Sequence, residues 1–304
     1  MSDTTVGALA MESGHPVPGF PLEFEWHGGD WKTIFDMQTQ LIKEDVARAR
    51  AEGRICLYLS CPISSRGGGW SGTNVDIARF VERKILDRWG EAFWVLNPVQ
   101  YQLESPAGTG LIVRHAKAAG IDLDALVKMG MPTGGDYLRM WTQVLVEDGG
   151  DNLGRNFDAF YFLGPRDVFS FFTKHDSTTL TTGIESYFAQ KFATHSTFAD
   201  AFSVPGIDWG NMTQATNSAD LRDAWVQKRR EFIRFYGLRA SANFSLGCHD
   251  EWNILRLVNA ARRKKSSGIG KRDGDPGDQL AAFFDGSQVD PASSEAQLSR
   301  GYAC

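Results

Sequence analysis

The chain has little of several features that would assign it to a class at once. Its 304 residues include only four cysteines, whose spacing shows no disulfide framework, so we expect reduced thiols rather than a disulfide scaffold. Basic residues are not in excess either. The sequence has 32 Lys and Arg and 37 Asp and Glu, which give a formal net charge of −5. Without a positive balance, there is no electrostatic case for nucleic acid as a partner.

Long apolar runs are also absent from the sequence. No window reaches the roughly 18 apolar residues that a membrane helix needs, and the first 20 residues lack the basic start and apolar stretch of a secretory signal. The sequence therefore predicts a cytoplasmic protein that does not contact a membrane. Its hydrophobic share of 42 % and charged share of 23 % are typical of a globular protein with a sizeable core.

What the sequence does contain is an alternation of apolar strands with amphipathic helices. Three short apolar runs, at 54–61, 92–98 and 157–164, are typical of strands buried on both faces of a parallel sheet. Helical patterns of charged and apolar residues separate them. The alternation predicts an α/β fold, a Rossmann-like parallel sheet with flanking helices, followed by a mainly helical C-terminal addition.

Composition and pattern divide the chain into four stretches. Residues 1–30 predict a mobile N-terminal arm, and residues 265–304, which are polar and rich in Gly, Pro and Ser, predict a flexible tail. Residues 31–195 contain the predicted strands and form the expected Rossmann-like nucleotide-binding and catalytic domain. Residues 196–264 form the expected helical addition.

The segment after the first strand has the most unusual composition. It reads CPISSRGGGW, residues 61–70, which we call the glycine loop, and it leads into a helical pattern. In an open parallel sheet, ligands bind beyond the carboxyl ends of the strands. Glycines there let backbone N–H groups approach a ligand, and a helix start offers further free N–H groups to an anion. Side-chain donors for phosphate or sugar oxygens come from Ser64, Ser65, Arg66, Ser71 and Thr73.

Three interpretations of the glycine loop stay open. It is a phosphate or sugar cradle, a plain glycine-rich turn, or a dinucleotide fingerprint, because GGGWSG at 67–72 fits G-x-G-x-x-G. A fingerprint expects its first glycine directly after the strand and an acidic residue at the end of the next strand. Here CPISSR intervenes, and the second strand ends in Asn97-Pro98. The lysine of a P-loop is absent as well.

Acidic side chains at the same predicted edge of the sheet are candidates for chemistry. Asp136 lies at the start of the helical run GGDYLRMW, and Glu185 follows a Ser-, Thr- and Gly-rich stretch after the third strand. Such a stretch exposes a carboxylate nucleophile and surrounds it with groups that orient its charge. The structural alternatives are an N-cap-type role for Asp136 and a helix-dipole partner for Glu185. Asp176 is a candidate for orienting sugar hydroxyls.

Four motifs occur in an order that resembles a known family. LYLSCPISSRGGG, GGDYLRMW, FDAFYFL and GIESYFAQKFA are similar to segments of the nucleoside 2-deoxyribosyltransferase-like superfamily, and most of all to its nucleotide N-glycosidase branch. In that family a glycine-bearing loop after the first strand holds the sugar or 5′-phosphate. A helix carries an aspartate, and a later glutamate attacks C1′ of the sugar.

The resemblance implies a role for each matching residue. Glu185 is the expected nucleophile, Asp136 is the accompanying aspartate, and the sugar and phosphate are held by Ser64, Ser65, Arg66, Gly67, Gly68 and Gly69. The implied enzyme is a hydrolase or transferase that cleaves the N-glycosidic bond of a nucleotide or nucleoside, its small-molecule partner, without a cofactor. Members of this family often complete their sites across a subunit contact, so the resemblance also implies a homo-oligomer.

The alternative function is a non-catalytic nucleotide-binding sensor or interaction module. Ser186 and Tyr187, which replace the usual residues after the family's glutamate, favour this alternative. One further cluster, CHDE at 248–251, combines residue types that bind zinc. It has no matching ligand pair elsewhere in the sequence, so the acidic first turn of a helix is the ordinary interpretation.

Overall fold

A computed structural model of the chain shows a mixed α/β protein. The structure describes residues 9–64, 68–103, 106–146, 153–174, 178–206, 219–266 and 279–293. The chain divides into two compact units, each discontinuous in sequence. Unit 1 combines residues 1–61, 82–162 and 246–304, and unit 2 combines residues 62–81 and 163–245.

The N-terminal part of unit 1 is packed rather than free. Strand β1 (Met11–Gly14) pairs antiparallel with β2 (Phe24–His27), and Val17, Phe20 and Leu22 between them are buried. The sequence predicts a mobile arm over residues 1–30, and the structure differs from residue 9 onward. The overall composition of the segment does not reveal these three apolar residues. Their burial stabilises the segment and offsets the loss of conformational entropy on ordering it.

Unit 1 is built on a mostly parallel sheet. Its described strands are β3 (Ile55–Ser60), β4 (Phe93–Leu96), β5 (Ala159–Phe162), β6 (Ala281–Phe284) and β7 (Ser287–Val289). Their order in the sheet is β4-β3-β5-β6-β7. All neighbours are parallel except β6 and β7, which are antiparallel. This sheet, with helices around it, confirms the predicted α/β class.

The helices follow the amphipathic patterns of the sequence. In chain order they are α1 (Gly29–Ala51), α2 (Ser71–Trp89), α3 (Pro106–Ala119), α4 (Leu123–Met129), α5 (Gly134–Val146), α6 (Pro165–Thr173), α7 (Leu180–Thr194), α8 (Ser196–Phe202), α9 (Ala219–Leu238) and α10 (Leu246–Ser266). Within the described ranges, none of them has both the length and the apolar character that crossing a membrane requires.

Aromatic side chains pack two helices of unit 1, α5 and α10, against its sheet. Tyr58 of β3 packs against Trp141 of α5, with ring centroids 5.5 Å apart. Phe162 of β5 packs against Trp252 of α10, at 4.8 Å. Helix α10 therefore belongs to the sheet unit, although the sequence placed it in a separate helical addition over residues 196–264. Its apolar stripe alone does not reveal which surface it covers.

The C-terminal part of unit 1 contributes two strands where the sequence predicts a flexible tail over residues 265–304. Asp285 and Gly286, with φ of 55° and 81°, form the tight turn between β6 and β7, and consecutive positive φ values are typical of two-residue hairpin turns. The Asn259 side chain of α10 bonds both backbone groups of Leu280, at 2.9 Å and 3.1 Å. The run AAFF is too short to stand out in a polar segment, and long-range pairing with β5 makes it a strand.

Unit 2 is helical and has an aromatic core. Phe188 of α7, Phe198 and Phe202 of α8 and Phe232 of α9 contact one another, with ring centroids 4.6 to 5.6 Å apart. Offset and edge-to-face aromatic pairs of this kind stabilise a core beyond their buried area. The predicted boundary between residues 195 and 196 therefore falls inside a packed unit, between α7 and α8.

Candidate functional site

Sheet topology indicates where unit 1 would meet a ligand. The chain passes from β3 to β4 on one side of it and then to β5 on the other side. In open α/β sheets, ligands bind at the carboxyl ends of the two strands where the connections diverge in this way. In this chain that edge lies beyond Ser60 at the end of β3 and Phe162 at the end of β5.

The glycine loop follows β3 and is held, within unit 2, by side chains of α2 and α9. The Asn74 amide nitrogen donates to the carbonyl oxygens of Ile63 and Ser64, at 3.0 Å each. The Tyr236 hydroxyl lies 3.0 Å from the Trp70 nitrogen and 2.9 Å from the Trp70 oxygen. Hydrogen bonds from the two helices therefore fix the described residues at both ends of the loop.

Packing against α9 explains two glycines of the loop. A Cβ atom on Gly68 would lie 2.8 Å from the Glu231 carbonyl oxygen, and Gly68 has a φ of 109°. A Cβ atom on Gly69 would lie 2.6 Å from the Phe235 ring. Packing within unit 2 requires glycine at both positions, and the positive φ is a second reason at Gly68. This agrees with the plain-turn interpretation for these two residues. Ser65, Arg66 and Gly67 lie outside the described residues.

Glu185 lies on α7, beyond the first turn of the helix. The N-cap of α7 is Thr179, and no acidic residue occupies the first turn, so the helix-dipole interpretation does not fit Glu185. Its side chain is 39 % exposed and forms a 2.9 Å ion pair with Arg229 of α9. The carboxylate is thus accessible to a ligand and oriented by a cation.

Two further side chains of α7 tie it to the first turns of α2. The Tyr187 hydroxyl donates a 2.8 Å hydrogen bond to Asp76, and Lys191 forms an ion pair with the same carboxylate at 2.8 Å. Burial raises the pKa of Tyr187, so Tyr187 remains a donor at any physiological pH. The helix that carries Glu185 is therefore joined to the helix that follows the glycine loop.

Asp136 lies on α5 in unit 1 and has only 2 % of its surface exposed. Its carboxylate accepts hydrogen bonds from the Thr133 backbone and hydroxyl, at 2.7 and 3.0 Å. It also accepts one from the His27 backbone at 2.8 Å and lies 2.8 Å from His27 Nδ1. These contacts give Asp136 two structural roles: capping the start of α5, as the N-cap-type interpretation expects, and holding β2 against that helix.

The predicted site residues are therefore divided between the units. Glu185, Ser64, Gly68 and Gly69 belong to unit 2, and Asp136 belongs to unit 1. Asp176 lies outside the described residues, as do three residues of the glycine loop named above. The structure thus brings the predicted nucleophile and the described loop residues from Pro62 onward into one unit.

A carboxyl group of the CHDE run, for which the sequence predicts an ordinary helix start, lies at the carboxyl end of β3. Glu251 of α10 accepts a 2.6 Å hydrogen bond from the Tyr58 hydroxyl and a 2.5 Å hydrogen bond from the Ser60 hydroxyl. Tyr58 and Ser60 are fully buried, whereas Glu251 is 8 % exposed. Its neighbour Trp252 packs on Phe162 of β5. The second turn of α10 therefore contacts both strands at the expected ligand-binding edge.

The surroundings of Glu251 change its acidity. Burial raises the pKa of Glu251 from 4.5 to about 7, and Asp250 also raises it, while the hydrogen bonds from Ser60 and Tyr58 lower it. Both protonation states are therefore populated near neutral pH, as a group that gives or takes a proton requires. Burial, followed by the charge of Glu251, raises the pKa of Tyr58 well above its ordinary value, so Tyr58 acts as a donor only.

One signal in the sequence pointed to this cluster. Tyr58 and Ser60 are two residues apart and so lie on one face of an otherwise apolar strand, and buried hydroxyl groups need hydrogen-bond partners. The partner itself was not predictable, because Glu251 is 191 residues away from Ser60.

Cysteines near this cluster are buried thiols. Cys61 and Cys248, like Cys56 elsewhere in unit 1, are buried and form no disulfide within the described part of the chain. Burial, followed by the nearby Cys248 and Glu251, raises the pKa of Cys61 well above its ordinary value, so this thiol is a poor nucleophile. Within the described residues, no group of three or more His, Cys, Asp or Glu side chains is placed to hold a metal ion.

Comparisons of the chain with protein-family models, with curated proteins and with solved structures give no match. The catalytic roles predicted for Glu185 and Asp136 therefore rest on the sequence alone.

Proposed function

We propose that this protein cleaves the N-glycosidic bond of a nucleoside or nucleotide, by hydrolysis or by (deoxy)ribosyl transfer, with Glu185 as the nucleophile. One observation carries the proposal: within unit 2, Glu185 lies on the helix that is bonded through Tyr187 and Lys191 to the start of α2, directly after the glycine loop. The proposal treats the sheet of unit 1 as Rossmann-like.

The reaction has two steps on this proposal. A Glu185 oxygen forms a bond to C1′ while the C1′–N bond breaks, and the electron pair of that bond leaves with the base. Water or a second base then attacks C1′ and releases the Glu185 carboxylate. The carboxylate also stabilises the positive charge that develops on the sugar. Arg229 orients the carboxylate from α9.

Recognition of the substrate is assigned to the glycine loop and the start of α2. Free N–H groups at a helix start attract a 5′-phosphate or hydrogen-bond to sugar hydroxyls. The hydrogen bonds of Asn74 and Tyr236 hold the described loop residues in place before a substrate arrives, which reduces the ordering cost of binding.

The test is a chromatographic screen for free base with purified protein and a panel of nucleosides, nucleoside 5′-monophosphates and NAD. We expect release of one base by the wild type, and a loss of at least about 100-fold in Glu185→Gln, which keeps the size of the side chain and removes its charge. Full activity of Glu185→Gln, or no base from any compound, would overturn the proposal.

Two further variants serve as controls in that screen. Glu44→Gln removes an exposed glutamate of α1 whose side chain contacts Gln40, and we expect it to match the wild type. Arg229→Gln removes the partner of Glu185 and keeps the carboxylate, so its activity should fall less than that of Glu185→Gln. Equal losses in Arg229→Gln and Glu185→Gln would indicate that the ion pair, and not the carboxylate, matters.

A second candidate function is nucleotide binding without chemistry. The 2.9 Å ion pair of Glu185 with Arg229, and the packing reasons for Gly68 and Gly69, favour it, because both are also expected in a unit without a catalytic carboxylate. In this case the screen yields no free base, while one nucleotide raises the melting temperature of the protein.

A further inference from the structure

We infer that Trp70 is a specificity-determining residue, which closes the start of α2 to a phosphate and so limits the substrate to a nucleoside without a 5′-phosphate. The inference rests on the proposed function and narrows its substrate class, which the motif resemblance leaves open. It is carried by contacts within unit 2, where protein groups occupy the places that a phosphate would take.

The N–H groups at the start of α2 are partly in use. The first four N–H groups of a helix have no partner inside it, and they are the groups that bind an anion. Here the Trp70 nitrogen donates to the Tyr236 hydroxyl at 3.0 Å, and the Thr73 nitrogen donates to the Trp70 carbonyl at 3.0 Å. A phosphate would therefore depend on the N–H groups of Ser71 and Gly72.

The Trp70 indole lies against the second of these residues. A Cβ atom on Gly72 would collide with the six-membered ring of the indole, so the ring fills the space beside Gly72. His195 and Phe198 hold the ring there, with centroids 5.1 and 5.0 Å from that of Trp70. The indole thus covers one side of the helix start. Ser71 is exposed and can still offer its hydroxyl or N–H group to a sugar hydroxyl.

The described glycines before Trp70 also approach the protein rather than a ligand. In a phosphate cradle, glycines let the backbone come close to the bound anion. Gly68 instead faces the Glu231 carbonyl oxygen of α9, and Gly69 faces the Phe235 ring. A carbonyl oxygen only accepts hydrogen bonds, so it does not favour a phosphate at Gly68.

Two cations of unit 2 already have anionic partners. Lys191 pairs at 2.8 Å with Asp76, which lies in the second turn of α2. Arg229 pairs at 2.9 Å with Glu185. A phosphate would have to compete with these carboxylates for its charge-assisted hydrogen bonds. A neutral sugar does not meet this competition, so the contacts favour a nucleoside.

The test compares kcat/KM for a nucleoside and for its 5′-monophosphate, with the base that the screen identifies, in wild type and Trp70→Ala. We expect the wild type to prefer the nucleoside by at least about tenfold. Trp70→Ala opens the start of α2 to a phosphate, so the preference should fall by at least about tenfold. The matched control is Trp94→Ala, which removes a half-buried tryptophan of β4 in unit 1 and should keep the wild-type preference.

Inorganic phosphate is a probe that needs no turnover. A ligand that binds only the folded state raises the melting temperature. Compared with chloride at equal ionic strength, phosphate should therefore raise the melting temperature of Trp70→Ala more than that of the wild type or of Trp94→Ala. An equal rise in the three proteins contradicts the inference, whether or not any of them releases a base.

The outcomes separate this inference from the proposed function. No base from either compound with the wild type overturns the proposed function, and the inference with it. Equal or better use of the 5′-monophosphate by the wild type overturns the inference alone. A nucleoside preference that Trp70→Ala leaves unchanged also overturns it, because another residue then excludes the phosphate.

A second variant keeps the inference testable if Trp70→Ala does not fold. Trp70→Phe keeps an aromatic ring against His195 and Phe198 and makes the cover over Gly72 smaller. The nucleoside preference should fall in Trp70→Phe as well, by a smaller factor than expected for Trp70→Ala. An unchanged preference in a folded Trp70→Phe protein contradicts the inference.

Discussion

The Tyr236 hydroxyl contacts both main-chain polar atoms of Trp70, at 3.0 Å from the nitrogen and 2.9 Å from the oxygen, and it also lies 2.9 Å from the Asn74 side-chain oxygen. Tyr236 is buried on α9, and burial raises its pKa, so it stays protonated. One phenol thus joins α9 to the last residue of the glycine loop and to the first turn of α2.

Tyr236→Phe tests how much this phenol contributes. The substitution removes the Tyr236 hydroxyl from the Trp70 backbone nitrogen and from the Asn74 side-chain oxygen, which costs roughly 1–3 kcal/mol of unfolding free energy. Urea denaturation measures that loss, and hydrogen exchange should show lower protection at the amides of residues 68–74. Unchanged protection there would mean that other contacts hold the loop end.

Gly69→Ala tests whether the glycines of the loop serve packing or a ligand. The new Cβ atom would lie 2.6 Å from the Phe235 ring, so we expect a loss of roughly 1–3 kcal/mol from overpacking. Gly110→Ala on α3 is the control, because its Cβ atom meets nothing within 4 Å and should stabilise the helix by roughly 0.5–1 kcal/mol. A stable Gly69→Ala variant that fails to bind nucleotides would assign this glycine to a ligand instead.

Asp136 and His27 should behave as a coupled pair. The Asp136 carboxylate binds both the backbone and the ring of His27, so Asp136→Asn and His27→Ala each weaken the contact between α5 and β2. A double-mutant cycle in urea should give a coupling free energy of about 1 kcal/mol or more, as for residues in direct contact. Additive losses would show that the two side chains act independently.

Glu251 should make the stability of the protein depend on pH. Its pKa is raised from 4.5 to about 7 in the folded state, so the folded state binds more protons than the unfolded state between these values. The stabilisation is therefore fully present below about pH 4.5 and is lost as pH rises through about 7, by up to about 3 kcal/mol. Glu251→Gln should be close to the wild type in acid and more stable than it above about pH 8. Parallel pH dependence of the two proteins in chemical denaturation would contradict the assigned pKa.

The parts of the fold that the sequence predicted are those with strong local patterns. The apolar run of β3 and the spaced apolar residues of α1 and α5 each bury one surface, and such patterns follow from the geometry of strands and helices. The α/β class came from their alternation. Local patterns do not show long-range pairing, and for that reason the sequence predicts an arm and a tail where the structure has β1, β2, β6 and β7.

The residues of the candidate site divide in the same way, into those that a local pattern predicts and those that depend on long-range contacts. Residue pattern and motif resemblance both single out Glu185 and Asp136, and the structure gives Asp136 four contacts that explain its burial without chemistry. The pairing of Glu251 with Ser60 depends on α10 returning to the sheet, which no local pattern encodes. Polar residues within an apolar strand indicate such a cluster, because a buried polar side chain needs a hydrogen-bond partner.

The late arrival of β6 has a consequence during synthesis. β5 ends at Phe162, and β6, which pairs with it, begins only at Ala281. During translation, β3, β4 and β5 therefore leave the ribosome long before β6 is made. Until then β5, with the aromatic sequence AFYF, is an unpaired edge of the sheet. An unpaired apolar edge recruits strands from other chains. Chains whose translation stops between β5 and β6 should therefore aggregate rather than fold into a functional fragment.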